Sequence, residues 1–349
     1  MPYRILSLDG GGVWSLIQVR TLISLYGADT QGHAVLKAFD LIAANAGGSL
    51  VLAGLVENMK LADLLALFMD ERKRHALFPP TKQTGGAVLR LLPKSGRQGM
   101  QQAANGIIGQ GGRPVHLLVI GFDDDRNRVR FFRSQPAGAT EWNDGMSTDM
   151  PLAAVVHISM RASIDRFPVP AESPLSLGRF WNGSITGCDN PLLAAVVEAI
   201  TLNVSPGNIR ALSLGTAMVS RAPATPGAGG LDDAPDAATS IAHAVTGGAD
   251  GLAGPVVSRV VRFNPLINPA TQAGRRVCGL DTDVLTSDDV AVLDTWCRLW
   301  LGDQVPNQPI GMDAATPALG YGCYSEALLA WQSLFPWASH GMPAALVAA

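Results

Sequence analysis

The 349-residue sequence has only four cysteines and four tyrosines, and charged residues make up just 16% of it. The cysteines, Cys188, Cys278, Cys297 and Cys323, are widely spaced and form no C-x-x-C pair. That spacing argues against a disulfide framework or a zinc site, and they read as buried free thiols. Strong charge of either sign is missing too: the formal net charge is −3, so no global basic field points to nucleic acid or an anionic membrane. The six histidines include no H-x-x-x-H pair, so no metal is expected. A long unbroken apolar run is also absent. The longest, Leu41 to Val56, is interrupted by Asn45 and three glycines, which excludes a membrane span. The chain enters a strand straight after Pro2 with no signal-peptide pattern, and the expected location is cytoplasmic.

What is present is a rich apolar content, 47%, with 38 glycines and 23 prolines. These values suit a compact α/β protein with many tight turns. No repeat or linker divides the chain, which reads as one domain over 1–349. Tyr3–Leu8 reads as a short buried strand, Asp9-Gly10-Gly11-Gly12 as a loop, and Leu16, Val19, Leu22 and Ile23 recur at helical spacing. Phe39–Ala43 reads as the next strand, Ala44–Gly48 as a turn of small residues, and a helix is expected from about Ser49. This β-α-β unit starts a mainly parallel sheet covered by helices, a three-layer α/β/α arrangement.

Further strands are expected at Val115–Phe122, Arg128–Arg133, Arg179–Asn182, Ile209–Leu214 and Val257–Phe263. Helices are expected over Leu61–His75, Met150–Met160, Leu192–Thr201, Ala238–Val245, Asp288–Leu301 and Tyr324–Leu334. Ala217–Asp236 reads as a loop, and Met342–Ala349 as a frayed tail. Pro79–Gly112, rich in Gly, Lys, Arg and Gln, reads as a surface excursion. Its basic residues, with Arg113, offer peripheral contact to an anionic head group or simply a solvated face. The acidic turn Asp123–Asn127 lacks the glycine and distal glutamate of a calcium loop and reads as solvated.

The turn at Ala44–Gly48 has the form of a nucleophile elbow, where a sharp strand-to-helix bend exposes the apex residue. The frame Ala44-Asn45-Ala46-Gly47-Gly48 puts Ala46 at that apex. Alanine has no nucleophilic atom. Ser49 and Ser15 read as helix-start residues rather than displaced nucleophiles. Asp9 reads as shaping its loop, Arg161 and Asp165 as a salt bridge one helical turn apart, and Asp165 and Asp189 as nearby carboxylates. Trp14, Trp181 and Phe180 read either as core or as lining of an apolar pocket.

Four pieces in order, Asp9-Gly10-Gly11-Gly12, Ala44–Gly48, Asn182-Gly183-Ser184 and Asn190-Pro191, resemble the patatin-like phospholipase family, and Val261–Pro265 has a similar look. The resemblance runs from about Tyr3 to Leu214. It implies a patatin-like fold and hydrolysis of lipid or phospholipid carboxylic esters by a Ser-Asp dyad, with no cofactor. It places Gly10, Gly11 and Gly12 in an oxyanion hole, Ala46 at the nucleophile position and Asn182 at the base position. An asparagine amide is no useful base at neutral pH. Trp14 also stands where that family has arginine, and Ser159–Phe167 lacks its Ala-Pro pair. The resemblance therefore implies an acyl hydrolase inactive or severely impaired in this chain. The alternatives are a lipid- or partner-binding protein that has lost the reaction, or a pocket with new chemistry around Asp165 or Asp189.

Overall fold

The computed structural model describes residues 1–78, 98–135, 150–160, 171–172, 178–220, 259–281, 285–308 and 321–335. The chain forms β1 (Tyr3–Leu8), a 3-10 turn (Gly12–Ser15), α1 (Leu16–Tyr26), α2 (Gly32–Leu36), β2 (Leu41–Asn45) and α3 (Ala46–Val56). Then come α4 (Leu61–Met69), α5 (Glu71–Leu77), α6 (Met100–Asn105), β3 (His116–Asp123), β4 (Arg128–Arg133) and α7 (Leu152–Ser159). β5 (Ala171–Glu172) and β6 (Arg179–Asn182) lead through a 3-10 turn (Gly183–Thr186) to α8 (Leu192–Thr201) and β7 (Ile209–Leu214). The last elements are β8 (Met218–Val219), β9 (Arg259–Phe263), β10 (Leu266–Ile267), α9 (Gln272–Cys278), α10 (Ser287–Leu301) and α11 (Tyr324–Leu334).

The central sheet runs β5-β6-β3-β2-β1-β7-β9, with β4 also paired to β3. The five strands from β3 to β9 are parallel, and β4, β5 and β6 add antiparallel pairs at one side. Successive strand residues point to opposite faces. Leu6, Leu8, Ile42, Ala44, Leu117, Val119, Leu212 and Leu214 join a large core with residues of α1, α3, α4, α7, α10 and α11. Ile5, Leu41, Ala43, Leu118, Ile209 and Ala211 pack instead against Leu192, Ala195, Val196 and Ala199 of α8. Helices thus cover both faces of a mostly parallel sheet, as its apolar strands require. Every residue of α3 is buried.

Several boundaries differ from the sequence reading. β2 runs two residues later than expected, because Ala44 pairs with Leu8 and Val119, and Asn45 pairs with Ile120. No separate turn remains, and α3 starts at Ala46 rather than Ser49. The stretch expected as a loop after Ala217 opens with β8, which pairs with β10. The short helices α2, α6 and α9 were not expected. The acidic turn is ion-paired rather than merely solvated: buried Asp123 binds Arg126, while Asp124 and Asp125 bind Arg179. Of the cysteines only Cys297 is buried, and Cys278 is exposed. The helix expected at 238–245, the tail 342–349, the Arg161–Asp165 pair and most of the basic excursion, including Lys82, Arg90, Lys94 and Arg97, lie outside the described residues. No helix among the described residues is long and apolar enough to cross a membrane.

Candidate active site

Two strands end side by side on β3. The last residue of β2, Asn45, is the partner of Ile120, and the last residue of β6, Asn182, is the partner of the next residue, Gly121. The sheet therefore delivers the segments 45–48 and 182–184 to the same place, although they are far apart in sequence. β1 lies on the other side of β2, so its glycine loop arrives there too.

Ala46 occupies the junction between β2 and α3 with φ 45°, a left-handed conformation. A Cβ disfavours that region, so only a surrounding that over-determines the backbone holds alanine there. Two features supply this. The Ala46 amide donates to Ser159 Oγ at 2.9 Å, and that hydroxyl donates to Ile120 O at 2.7 Å. The two following residues must be glycine: a Cβ on Gly47 would lie 2.3 Å from Gly12 O, and one on Gly48 would lie 2.5 Å from Leu8 O. The closeness of Gly47 to Gly12 is also the direct contact between elbow and glycine loop. Ser49 is a helix-turn residue, its hydroxyl donating to Ala46 O.

The glycine loop is held from below and from the side. Asp9 is buried and paired with the equally buried Arg262, whose guanidinium also donates to Ser213 Oγ at 2.7 Å. The Asp9 carboxylate thus reaches across the sheet to β9 as well as shaping its loop. Gln18 Nε2 donates to the carbonyls of Asp9 and Leu214. Gly11, at φ 138°, leaves no room for a side chain because Thr216 fills the space. The Gly10 amide donates to Asp189 O at 2.8 Å. This corrects the oxyanion role inferred for Gly10, whose N–H is already used. The amides of Gly11, Gly12, Gly47 and Gly48 have no acceptor among the described residues. A loop and a helix N-terminus with open amides favour negative charge on an incoming oxygen.

Asn45 clamps the elbow to the third segment. Its Oδ1 accepts the Gly183 amide at 3.0 Å, and its Nδ2 donates to Ser184 Oγ at 3.1 Å. Ser184 Oγ in turn donates to Asp189 Oδ1 at 2.5 Å. Asn182 is 9% exposed, and its Oδ1 has no partner among the described residues. The structure thus gathers Gly10–Gly12, Ala44–Gly48 and Asn182 at one site. Ser159, Ser184, Asp189 and Arg262 join them through their hydrogen bonds and ion pair. Asp189 was legible as a nearby carboxylate, Ser184 as part of Asn182-Gly183-Ser184 and Arg262 as part of Val261–Pro265, each without its partner; Ser159 stood only at the start of the segment that lacks an Ala-Pro pair.

Trp14 and Trp181 are both buried but belong to separate apolar clusters. Trp14 packs in the main core with its indole N–H on Asp281 O, and Trp181 packs on Phe122. No cluster of three potential metal ligands occurs among the described residues. The chain matches no protein-family model and no curated protein.

Proposed function

We propose that this chain carries a patatin-like acyl-hydrolase site for lipid or other carboxylic esters, severely impaired because Ala46 stands at the nucleophile position and Asn182 at the base position. The observation that carries this reading is the left-handed Ala46 at a strand-to-helix junction packed against a glycine loop with open amides. A bend of that form serves to present a nucleophile beside oxyanion donors. The second support is that Asn45 and Asn182 pair with consecutive residues of β3, Ile120 and Gly121, so the residues proposed for the two roles stand close together at one end of the sheet. A methyl group cannot attack a carbonyl, and the neutral amide cannot take a proton. Losing such a group costs about 10⁴–10⁶ in rate, and losses within one unit do not add.

The test is steady-state hydrolysis of a nitrophenyl ester by the chain and by the variant Ala46→Ser with Asn182→Asp. The double variant is expected to be at least about 10³-fold faster. A folded double variant no faster than the parent would remove the hydrolase reading and leave a binding protein.

A further inference from the structure

With the elbow silent, a hydroxyl engaged by a carboxylate still stands beside it. Ser184 Oγ donates to Asp189 Oδ1 at 2.5 Å, and Asn45 Nδ2 donates to the same Oγ at 3.1 Å while lying 3.5 Å from Asp189 Oδ1. We propose that Ser184 and Asp189 are a second nucleophile–base pair at this site, displaced from the elbow, which accepts acyl groups from reactive esters. The proposal rests on the reading of these segments as an acyl-ester site.

Three observations separate this pair from an ordinary turn contact. Both residues are half-buried, open enough for substrate yet shielded enough to strengthen the proton-accepting bond. The Asn45 amide donates into Oγ, which favours the alkoxide that forms as the proton leaves. The glycine loop is built around Asp189: Gly10 donates its amide to Asp189 O, and a Cβ on Gly10 would overlap Asp189 Oδ1. The open amides of Gly11 and Gly12 therefore follow directly on a residue in contact with the base. A built-in comparison exists at the surface. Ser287 Oγ donates to Glu71 Oε2 at 2.6 Å, but that pair is exposed and has no glycine loop beside it.

Ser184 Oγ bonds to the ester carbonyl carbon as its proton passes to Asp189 Oδ1. The carbon–oxygen bond to the leaving group then breaks, and the leaving oxygen takes the proton from Asp189. Water repeats the sequence on acyl-Ser184, giving its proton to Asp189, and Ser184 Oγ leaves with that proton as the carboxylic acid is released.

The unaltered chain, treated with a fluorophosphonate probe and mapped by peptide mass spectrometry, tests this. Oγ–phosphorus bond formation expels fluoride, and the expected adduct is on Ser184 with none on Ser287. Asp189→Asn is expected to slow labelling at least about 10²-fold, and Ser184→Ala to abolish it. No adduct on Ser184, or equal labelling of Asp189→Asn, would overturn the proposal. The mapping on the unaltered chain decides even if both variants fail to fold. The triple variant Ala46→Ser, Asn182→Asp, Ser184→Ala keeps the two readings apart. Its ester hydrolysis would sustain the elbow reading even where Ser184 proved inert, and its failure beside a labelled Ser184 would count against the elbow alone.

Discussion

Asn45 Oδ1 accepts the backbone amide of Gly183 at 3.0 Å, joining the last residue of one strand to the first residue beyond another across 138 positions of sequence. The geometry is possible because β3 passes from Asn45 to Asn182 at consecutive residues. An asparagine suits the place because one side chain supplies both the acceptor for Gly183 and the donor for Ser184. A leucine of similar size would leave the Gly183 amide unpaired and Ser184 Oγ with Asp189 alone.

The elbow's conformation depends on Ser159. Its hydroxyl is fully buried and serves two backbone groups, the Ala46 N–H and the Ile120 C=O. Ser159→Ala leaves both without a partner, and a loss of about 1–3 kcal/mol is expected in urea unfolding. Methyl for hydroxyl costs little in volume, so a change below about 0.5 kcal/mol would mean that the Ser159 bridge does not hold the bend.

The glycine loop depends on Arg262 in a comparable way. Arg262→Met strips the partner from buried Asp9 and is expected to cost about 3–5 kcal/mol. Adding Asp9→Asn should recover part of that loss, since the buried carboxylate charge is gone. Additive losses in a double-mutant cycle would show that the pair does not act as a unit.

How far the sequence reached into this site depends on how local each signal was. Ile209–Leu214 and Tyr324–Leu334 were legible end to end, because apolar periodicity alone marks them. The end of β2 was not, since Ala44 and Asn45 look like turn residues until Leu8, Val119 and Ile120 are seen beside them. The positions of Ala46, Asn182 and the glycines were readable through short motifs. Arg262 was noticed only as part of a motif, because its partner is Asp9, 253 residues away. Ser159 looks like any helical serine until β3 is laid against α7. The oxyanion assignment of Gly10 failed because its amide partner, Asp189 O, is a backbone group that no side-chain pattern reveals.

A buried polar cluster on the α8 side gives a pH-dependent prediction. Burial works against the charged form of Glu198, but the hydrogen bond from His116 and the Arg133 guanidinium outweigh it, and its carboxyl titrates below the ordinary range. A depressed carboxyl pKa stabilises the fold at neutral pH, and that stabilisation is lost as the pH falls below the ordinary value of 4.5 and through the folded one. Glu198→Gln is expected to lose about 2 kcal/mol at pH 7, with the difference from the parent shrinking in acid. Urea titrations at pH 7 and pH 3.5 would check it; a constant difference at both would contradict the charge-based explanation.

The most direct measurement is the nitrophenolate burst of the Ala46→Ser, Asn182→Asp variant in a Ser184→Ala background, with the adduct mapped on the peptide. The expected result is about one nitrophenolate released per chain and an acyl group on residue 46. A folded variant with no burst, or an acyl group placed elsewhere, would contradict the claim that the bend at residue 46 is built to present a nucleophile.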